Sequence, residues 1–202
     1  MIVYHMSETL ELGDRLQPDF QRTEVFCRPF IQALERGEDC FAAMVLNGKY
    51  LFAVLDRSGL REWADYAKWA TEAAFEFVRA RDFPGRVSRL RCCYYYDSLE
   101  NAKKLFNYEW GWAGDEERAH VRLFEIALED RRPDRFDMCL YDMAYDAMAE
   151  RQDCSFALDC ARRYYAGEHG AEPVWELLSA GPAQAVRDIT SELRGGDRLT
   201  PT

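Results

Sequence analysis

PVWELLSAGPAQAVRDI, residues 173–189, holds two apolar runs separated by the dipeptide Gly181-Pro182. Glycine followed by proline is a strong turn signal, because glycine tolerates positive φ and proline fixes its own φ. The segment therefore predicts two strands joined by a tight turn. Glu176 opens the run Leu177-Leu178, so the sequence places a carboxylate within a strand that is otherwise apolar.

The rest of the chain mixes helix and strand patterns without a regular β-α repeat. Residues 62–81 carry aromatic residues and alanines at helical spacing, which predicts a helix closed by Pro84-Gly85. Ser98 is the predicted N-cap of a second helix. The other predicted elements are strands at 2–6, 41–46, 50–55, 88–96 and 120–129, and helices at 98–106 and across 136–165, broken near 152–155. This pattern predicts an α+β fold, with one domain over residues 1–194 and a flexible tail at 195–202.

Composition limits the classes of function. The 202 residues are 48% hydrophobic and carry a formal net charge of -10, with a pI near 4.9. Such acidity argues against a broad basic surface for nucleic acid, although a local basic groove is compatible with it. Seven cysteines without a C-x-x-C pair indicate reduced thiols. The N-terminus has no signal-peptide pattern and no stretch has the length of a membrane span, so we expect a cytoplasmic protein with no membrane partner.

Common catalytic motifs are absent from the sequence. It contains no G-x-G-x-x-G, P-loop, H-E-x-x-H or G-x-S-x-G pattern. The three histidines, at positions 5, 120 and 169, have no metal-ligand spacing, so no metal site is predicted. Polar residues on predicted strands remain as candidates, and they are His5, Ser88, Arg89, the tyrosines 94–96 and Glu176.

Taken in chain order, these residues resemble the H-Y-E branch of the ADP-ribosyltransferases. Tyr4-His5 is similar to the histidine strand of that family. Ser88-Arg89 followed by Tyr94, Tyr95 and Tyr96 looks like its central aromatic strand, and Glu176 takes the place of its catalytic glutamate. The resemblance implies split, strongly bent antiparallel β-sheets flanked by helices.

The resemblance also implies NAD as the donor of ADP-ribose, with no metal. Glu176 and His5 would be the catalytic residues, with His5 also holding NAD. Ser88, Arg89 and one of Tyr94, Tyr95 and Tyr96 would complete the NAD site, and the sequence leaves open which tyrosine contacts nicotinamide. A fixed carboxylate suits this reaction, because cleavage of the nicotinamide bond passes through an oxocarbenium-like ribose. The forked guanidinium of Arg89 suits the pyrophosphate.

The acceptor implied by the resemblance is RNA, as for mRNA-modifying toxins of toxin-antitoxin or phage-defence systems, and an antitoxin protein would then be a partner. Val174 stands where transferases that act on arginine or asparagine side chains carry the first residue of a Glu-x-Glu or Gln-x-Glu doublet. Its presence fits a base acceptor. The alternatives are a protein acceptor, a catalytically silent NAD-binding module and an RNA 2'-phosphotransferase of the same fold.

Other charged residues have secondary roles in this interpretation. Glu125, Glu129 and Asp130 are reserve candidates for the catalytic acid. Asp137, Asp142 and Asp146 are predicted to form a solvated helix face. The residues expected to contact RNA phosphates are Arg79, Arg81, Arg86, Arg89, Arg91, Arg162 and Arg163.

Overall fold

The computed structural model of the chain describes residues 1–18, 23–38, 63–110, 114–150 and 154–194. It divides into two compact units, each assembled from separate segments. The first unit comprises Met1–Gln17, Cys93–Pro133 and Val174–Thr202, and the second comprises Pro18–Cys92 and Asp134–Pro173. Because both units draw on segments throughout the chain, the single domain expected over 1–194 stays a prediction.

The described elements confirm the mixed helix and strand composition. In chain order they are β1 Ile2–Ser7, β2 Arg15–Leu16, a π-helical turn Thr23–Cys27, α1 Arg28–Glu35, α2 Trp63–Asp82, a 3-10 turn Arg89–Arg91, β3 Cys93–Tyr96, α3 Leu99–Trp110, α4 Asp115–His120, β4 Arg122–Leu128, β5 Asp134–Asp137, α5 Met138–Ala149, α6 Cys154–Ala166, β6 Trp175–Ser179, β7 Ala183–Asp188 and α7 Ser191–Arg194. The predicted strands at 2–6, 120–129 and within 173–189 and the helix at 62–81 are confirmed. The strand expected at 88–96 begins as a 3-10 turn instead, because Ser88 caps that turn by accepting a hydrogen bond from the Leu90 amide at 3.2 Å. The predictions for 41–46, 50–55 and 195–202 lie outside the described residues.

The first unit is built on an antiparallel sheet in which six strands are ordered β2-β7-β4-β1-β3-β6. Successive side chains of a strand point to opposite faces, so each face has its own core. The Val3 face packs Val3, Tyr95 and Phe124 with other buried side chains. On the Tyr4 face, Tyr4, Met6 and Tyr96 pack against a second buried cluster, which includes Ala102 and Phe106 of α3.

α3 begins where the sequence predicts. The Ser98 hydroxyl oxygen accepts a hydrogen bond from the Asn101 amide at 3.1 Å, so the expected N-cap is confirmed. This cap satisfies one of the amides that the first turn of a helix leaves without an intrahelical partner. It also fixes the start of the helix whose residues Ala102 and Phe106 cover the Tyr4 face.

A bulge in β7 changes which side chains share a face. Glu125 pairs with Arg187 and Ile126 pairs with Ala185, so Val186 is the extra residue on β7. Without a bulge, Arg187 would lie on the same face as Ala185, which belongs to the core of the Val3 face. The bulge instead places Arg187 beside Glu125 on the Tyr4 face.

The second unit packs helices around an aromatic cluster. α2 presents several fully buried alanines, Ala67, Ala70, Ala73 and Ala74, which permit the close approach of neighbouring helices. Phe75 meets Tyr164 and Tyr165 of α6 edge-on, at ring centroid distances of 5.2 and 6.2 Å. Phe136 stacks on Tyr164 at 4.3 Å. These aromatic contacts tie α2 to α6 and β5.

Residues 136–165 contain two helices, as predicted, but the segment starts in β5 and one of its acids is not solvated. Asp137 is 1% exposed, so its assignment to a solvated helix face is wrong. Its carboxylate accepts hydrogen bonds from the Cys139 amide at 3.1 Å and the Gly170 amide at 2.9 Å. The side chain is therefore an N-cap of α5 that also anchors the loop after α6.

Asp188 at the end of β7 provides a pH-dependent test of the first unit. Hydrogen bonds from Thr190, with a further one from Arg122, lower the pKa of its carboxyl to about 2. A depressed folded-state pKa stabilises the fold above the unfolded value of about 3.9, and this stability is lost as the pH falls towards 2. Since the side chain is 33% exposed, solvent screening limits the contribution to roughly 1 kcal/mol.

We expect Asp188→Asn to lower the free energy of unfolding by roughly 1 kcal/mol at pH 7, and the difference from wild type to narrow below about pH 4. Urea unfolding at a series of pH values measures both effects. Asp146→Asn, at an exposed position of α5, is the control. A deficit in Asp188→Asn that stays constant down to pH 3 would contradict this role of the carboxylate.

Candidate functional site

A row of five side chains crosses the Tyr4 face of the sheet. Tyr4 pairs with Tyr96 on one side and with Glu125 on the other. Tyr96 pairs in turn with Glu176, and Glu125 pairs with Arg187. Directly opposed residues of an antiparallel sheet share a face, with Cα atoms roughly 4.5–5.5 Å apart. We call Glu176, Tyr96, Tyr4, Glu125 and Arg187 the cross-strand row.

Glu176 lies on β6 at one end of this row. The residue is only 3% exposed, and the residues on either side of it in the strand, Trp175 and Leu177, are apolar. A carboxylate in such a place has strong electrostatic interactions, because little water surrounds it to screen its charge. The position can therefore stabilise a positive charge that develops beside it.

The three candidate tyrosines divide between the two faces. Tyr95 is fully buried in the core of the Val3 face. Tyr94 pairs with Leu178, and Tyr96 pairs with Glu176, so these two rings lie on the Tyr4 face. Tyr96 is thus the tyrosine directly opposite the candidate catalytic carboxylate.

His5 and Glu176 lie on opposite faces of the sheet. His5 pairs with Phe124 and neighbours the ring of Tyr95 at 6.0 Å on the Val3 face. Its Nδ1 donates a hydrogen bond to the Tyr94 carbonyl at 2.8 Å, since that oxygen can only accept. Burial lowers the pKa of the imidazole, partly offset by this hydrogen bond. The ring is therefore neutral at pH 7 and ties β1 to β3, and the structure does not bring it beside Glu176.

Ser88 and Arg89 lie in the second unit, where both are tied to α2. The Ser88 hydroxyl donates to the Glu76 carboxylate at 2.8 Å. Arg89 is 5% exposed and pairs with Glu72 at 3.2 Å. Its guanidinium also donates to the Tyr164 hydroxyl at 2.8 Å. The NAD-binding role of these two residues stays a prediction, and the contacts give both of them a structural role.

The reserve acids are less suited to catalysis than Glu176. Glu125 forms an ion pair with Arg187, which neutralises its charge. Asp130 accepts a hydrogen bond from the Ser179 hydroxyl at 2.7 Å and caps its own loop at the Arg132 amide. Glu129 is exposed. Glu176 remains the best candidate because it combines burial with a neighbouring aromatic ring.

Most arginines expected to contact RNA already have acidic partners. Carboxylates lie within ion-pair distance of six of them, in the pairs Arg79–Glu76, Arg81–Asp82, Arg86–Asp134, Arg89–Glu72, Arg162–Asp82 and Arg163–Glu168. Arg91 is exposed, and no ion pair involves it within the described chain. The paired carboxylates reduce the attraction of this surface for phosphate.

The described residues contain neither a membrane-spanning helix nor a cluster of metal ligands. Across the described ranges, no helix is long and apolar enough to cross a membrane. Nor does any group of three or more His, Cys, Asp or Glu side chains in those ranges have the arrangement of a metal site. Within the described residues, cysteines 27, 92, 93, 139, 154 and 160 form no disulfide, and Cys40 lies outside those residues.

A comparison with family models places the chain. The model described as "Protein of unknown function (DUF2441)" matches residues 4–191 of the 202. The chain belongs to this family. The DUF2441 match covers the whole cross-strand row, from Tyr4 to Arg187. No curated protein matches the chain. The DUF2441 description names no activity.

Sequence reasoning missed two members of the row, Tyr4 and Arg187. Tyr4 could have been found from strand alternation, since it faces away from His5, but which face carries Glu176 depends on non-local pairing. No pattern in the sequence predicts the position of Arg187 in the row. Strand alternation would place it on the Val3 face, and the bulge at Val186 moves it to the Tyr4 face.

Proposed function

We propose that this chain is an NAD-dependent ADP-ribosyltransferase, with the bent, split sheet of that fold, that transfers ADP-ribose to a macromolecular acceptor. The proposal is supported mainly by one observation. The sequence predicts one strand with His5, one with the tyrosines 94–96 and one with Glu176, and these strands are neighbours in the sheet, in the order β1-β3-β6. Within them, Tyr96 lies directly opposite Glu176.

Glu176 and Tyr96 have complementary roles in the proposed reaction. As the nicotinamide leaves, positive charge develops on the ribose, as in glycoside cleavage. The Glu176 carboxylate accepts a hydrogen bond from a ribose hydroxyl and stabilises that charge, and its buried setting strengthens the effect. The Tyr96 ring offers a flat apolar surface for nicotinamide next to the carboxylate.

The acceptor we propose is single-stranded RNA, as for a toxin in a toxin-antitoxin or phage-defence system with an antitoxin protein as partner. Because most candidate arginines are already paired, few phosphates would be contacted. Each neutralised phosphate contributes roughly one log unit of affinity per log unit of salt, so we expect the affinity for RNA to fall only shallowly with salt.

Incubation with labelled NAD and single-stranded RNA, duplex RNA or bulk cell protein tests the acceptor. We expect label on single-stranded RNA, reduced severalfold by the double charge reversal Arg162→Glu/Arg163→Glu. Arg132→Glu, at an exposed position of the first unit, is the matched control. Label on protein alone, or unchanged RNA labelling in the double variant, would contradict RNA as the acceptor and favour a protein acceptor.

The burial of Glu176 supports a second candidate, a catalytically silent NAD-binding module of the same fold. A carboxylate that is 3% exposed has little surface to offer a ribose hydroxyl. The two candidates differ in one measurement. Calorimetry would detect NAD binding in both, whereas release of nicotinamide requires the transferase.

A further inference from the structure

A cleft opens on the Tyr4 face of the first unit, at the far end of the cross-strand row from Glu176. Its volume is about 290 Å³, and it lies between the sheet, the start of α3 and α7. A space of this size accommodates one aromatic ring system with part of its substituent. The cleft is lined by Tyr4, Leu99, Glu125, Arg187, Asp188, Ile189, Ser191 and Glu192.

The charged groups of the cleft differ in how fully they are already used. Asp188 accepts hydrogen bonds from Thr190 and Arg122. Glu192 pairs with Lys103 at 3.1 Å. These two carboxylates are satisfied by neighbouring cations or hydroxyls, so they contribute little to recognition of a ligand.

Glu125 and Arg187 can each form further hydrogen bonds in addition to the one between them. Within the described chain, one Nη of Arg187 donates to Oε1 of Glu125, and this is the only hydrogen bond of either side chain. A guanidinium has five N–H donors and a carboxylate has two acceptor oxygens. Arg187 is also 65% exposed. The pair therefore presents free donors beside a free acceptor oxygen at the mouth of the cleft.

An adjacent donor and acceptor suit the edge of a nucleobase. An amino group of the base can donate to Glu125, while a ring nitrogen or carbonyl oxygen beside it accepts from Arg187. Tyr4 supplies an aromatic ring for stacking, and Leu99 and Ile189 supply apolar walls. A purine held at its edge by Glu125 and Arg187 covers the ring and the walls better than a pyrimidine, since it has the larger π-surface. The preference for a purine therefore requires the edge contacts that hold the base in place as well as the stacking.

We propose that this cleft binds a purine base of the single-stranded RNA acceptor. The base would not be the one that reacts. Tyr4 and Glu125 lie two and three strands from Glu176, roughly 10–14 Å at the usual spacing of strands, whereas reacting atoms approach to roughly 3–3.5 Å. The cleft would thus select the sequence next to the modified nucleotide. Its assignment to the acceptor rests on the proposed function.

Binding of labelled RNA in the absence of NAD tests the cleft directly. Fluorescence anisotropy compares alternating adenosine-guanosine and uridine-cytidine decamers on the full chain. We expect wild type to bind the purine decamer about tenfold more tightly, within the range of a base-edge contact. Arg187→Gln and Glu125→Gln should each remove this preference, while Arg132→Gln should keep it. Arg187→Lys, which keeps the charge but loses the fork, should lose most of the preference too.

The outcomes separate the sources of the base. Equal affinity of wild type for the two decamers, or a preference that survives both Arg187→Gln and Glu125→Gln, would overturn the proposal. If those variants weaken NAD binding in calorimetry and leave the RNA preference intact, the base is the adenine of the donor and the acceptor assignment falls. A purine preference in a chain that never releases nicotinamide would retain the cleft and reject the transferase activity.

Discussion

Glu176→Gln is expected to lower the rate of ADP-ribose transfer by about a hundredfold or more, with NAD affinity within a few-fold of wild type. Glutamine keeps the shape of the side chain but loses the charge that meets the oxocarbenium-like ribose. Removal of one preorganised electrostatic group commonly costs this much in turnover. The loss should fall on kcat, because the charge on the ribose exists only in the transition state.

Nicotinamide release under saturating NAD measures the effect, and calorimetry measures the affinity. Glu116→Gln is the matched control, since it removes an exposed acid of the same unit, on α4. Near-normal turnover in Glu176→Gln would remove Glu176 from the mechanism. A large rise in Kd for NAD with unchanged kcat would instead make Glu176 a binding residue.

The local part of the structure could be predicted from the sequence. The helix over Trp63–Asp82 follows from the spacing of its aromatic residues and alanines, and the start of α3 follows from Ser98. Both signals are contained within a few residues of chain. The turn at Gly181-Pro182 and the strand carrying Glu176 are predictable for the same reason.

The arrangement of the candidate site depends on strand pairing, which the sequence does not encode locally. A shift of one residue in the register of β3 against β6 would set Tyr95 opposite Glu176, and would bury a different tyrosine in the core. The choice of Tyr96 therefore required the structure. The separation of His5 from Glu176 has the same origin, since it follows from the pairing of Tyr4 with Tyr96.

The burial of charged side chains could not be predicted from the sequence either. Arg89 and Asp137 look like surface residues by type, but each has a partner elsewhere in the second unit. Glu72, the partner of Arg89, lies 17 residues earlier on α2, and Gly170 lies 33 residues beyond Asp137. Such partners can be identified only once the helices are packed.

Arg89→Met is expected to lower the free energy of unfolding by roughly 3–5 kcal/mol, because it leaves the buried Glu72 carboxylate without its positively charged partner. Two donors of Arg89 face Glu72, at 3.2 and 3.4 Å, and the guanidinium lies 4.1 Å from the centre of the Tyr141 ring. Methionine fills much of the volume but leaves the Glu72 charge without its cation. For a chain of this size, the loss corresponds to a fall in Tm of roughly 6–20 °C.

A double-mutant cycle attributes this loss to the ion pair. Adding Glu72→Gln to Arg89→Met should recover part of the stability, since the amide is cheaper to bury than an unpaired charge. Arg81→Met is the matched control, because its pair with Asp82 is exposed and solvent-screened and should contribute little to stability. If Arg89→Met melts like Arg81→Met yet binds NAD much more weakly, then Arg89 serves the pyrophosphate and the ion pair with Glu72 does little to stabilise the fold.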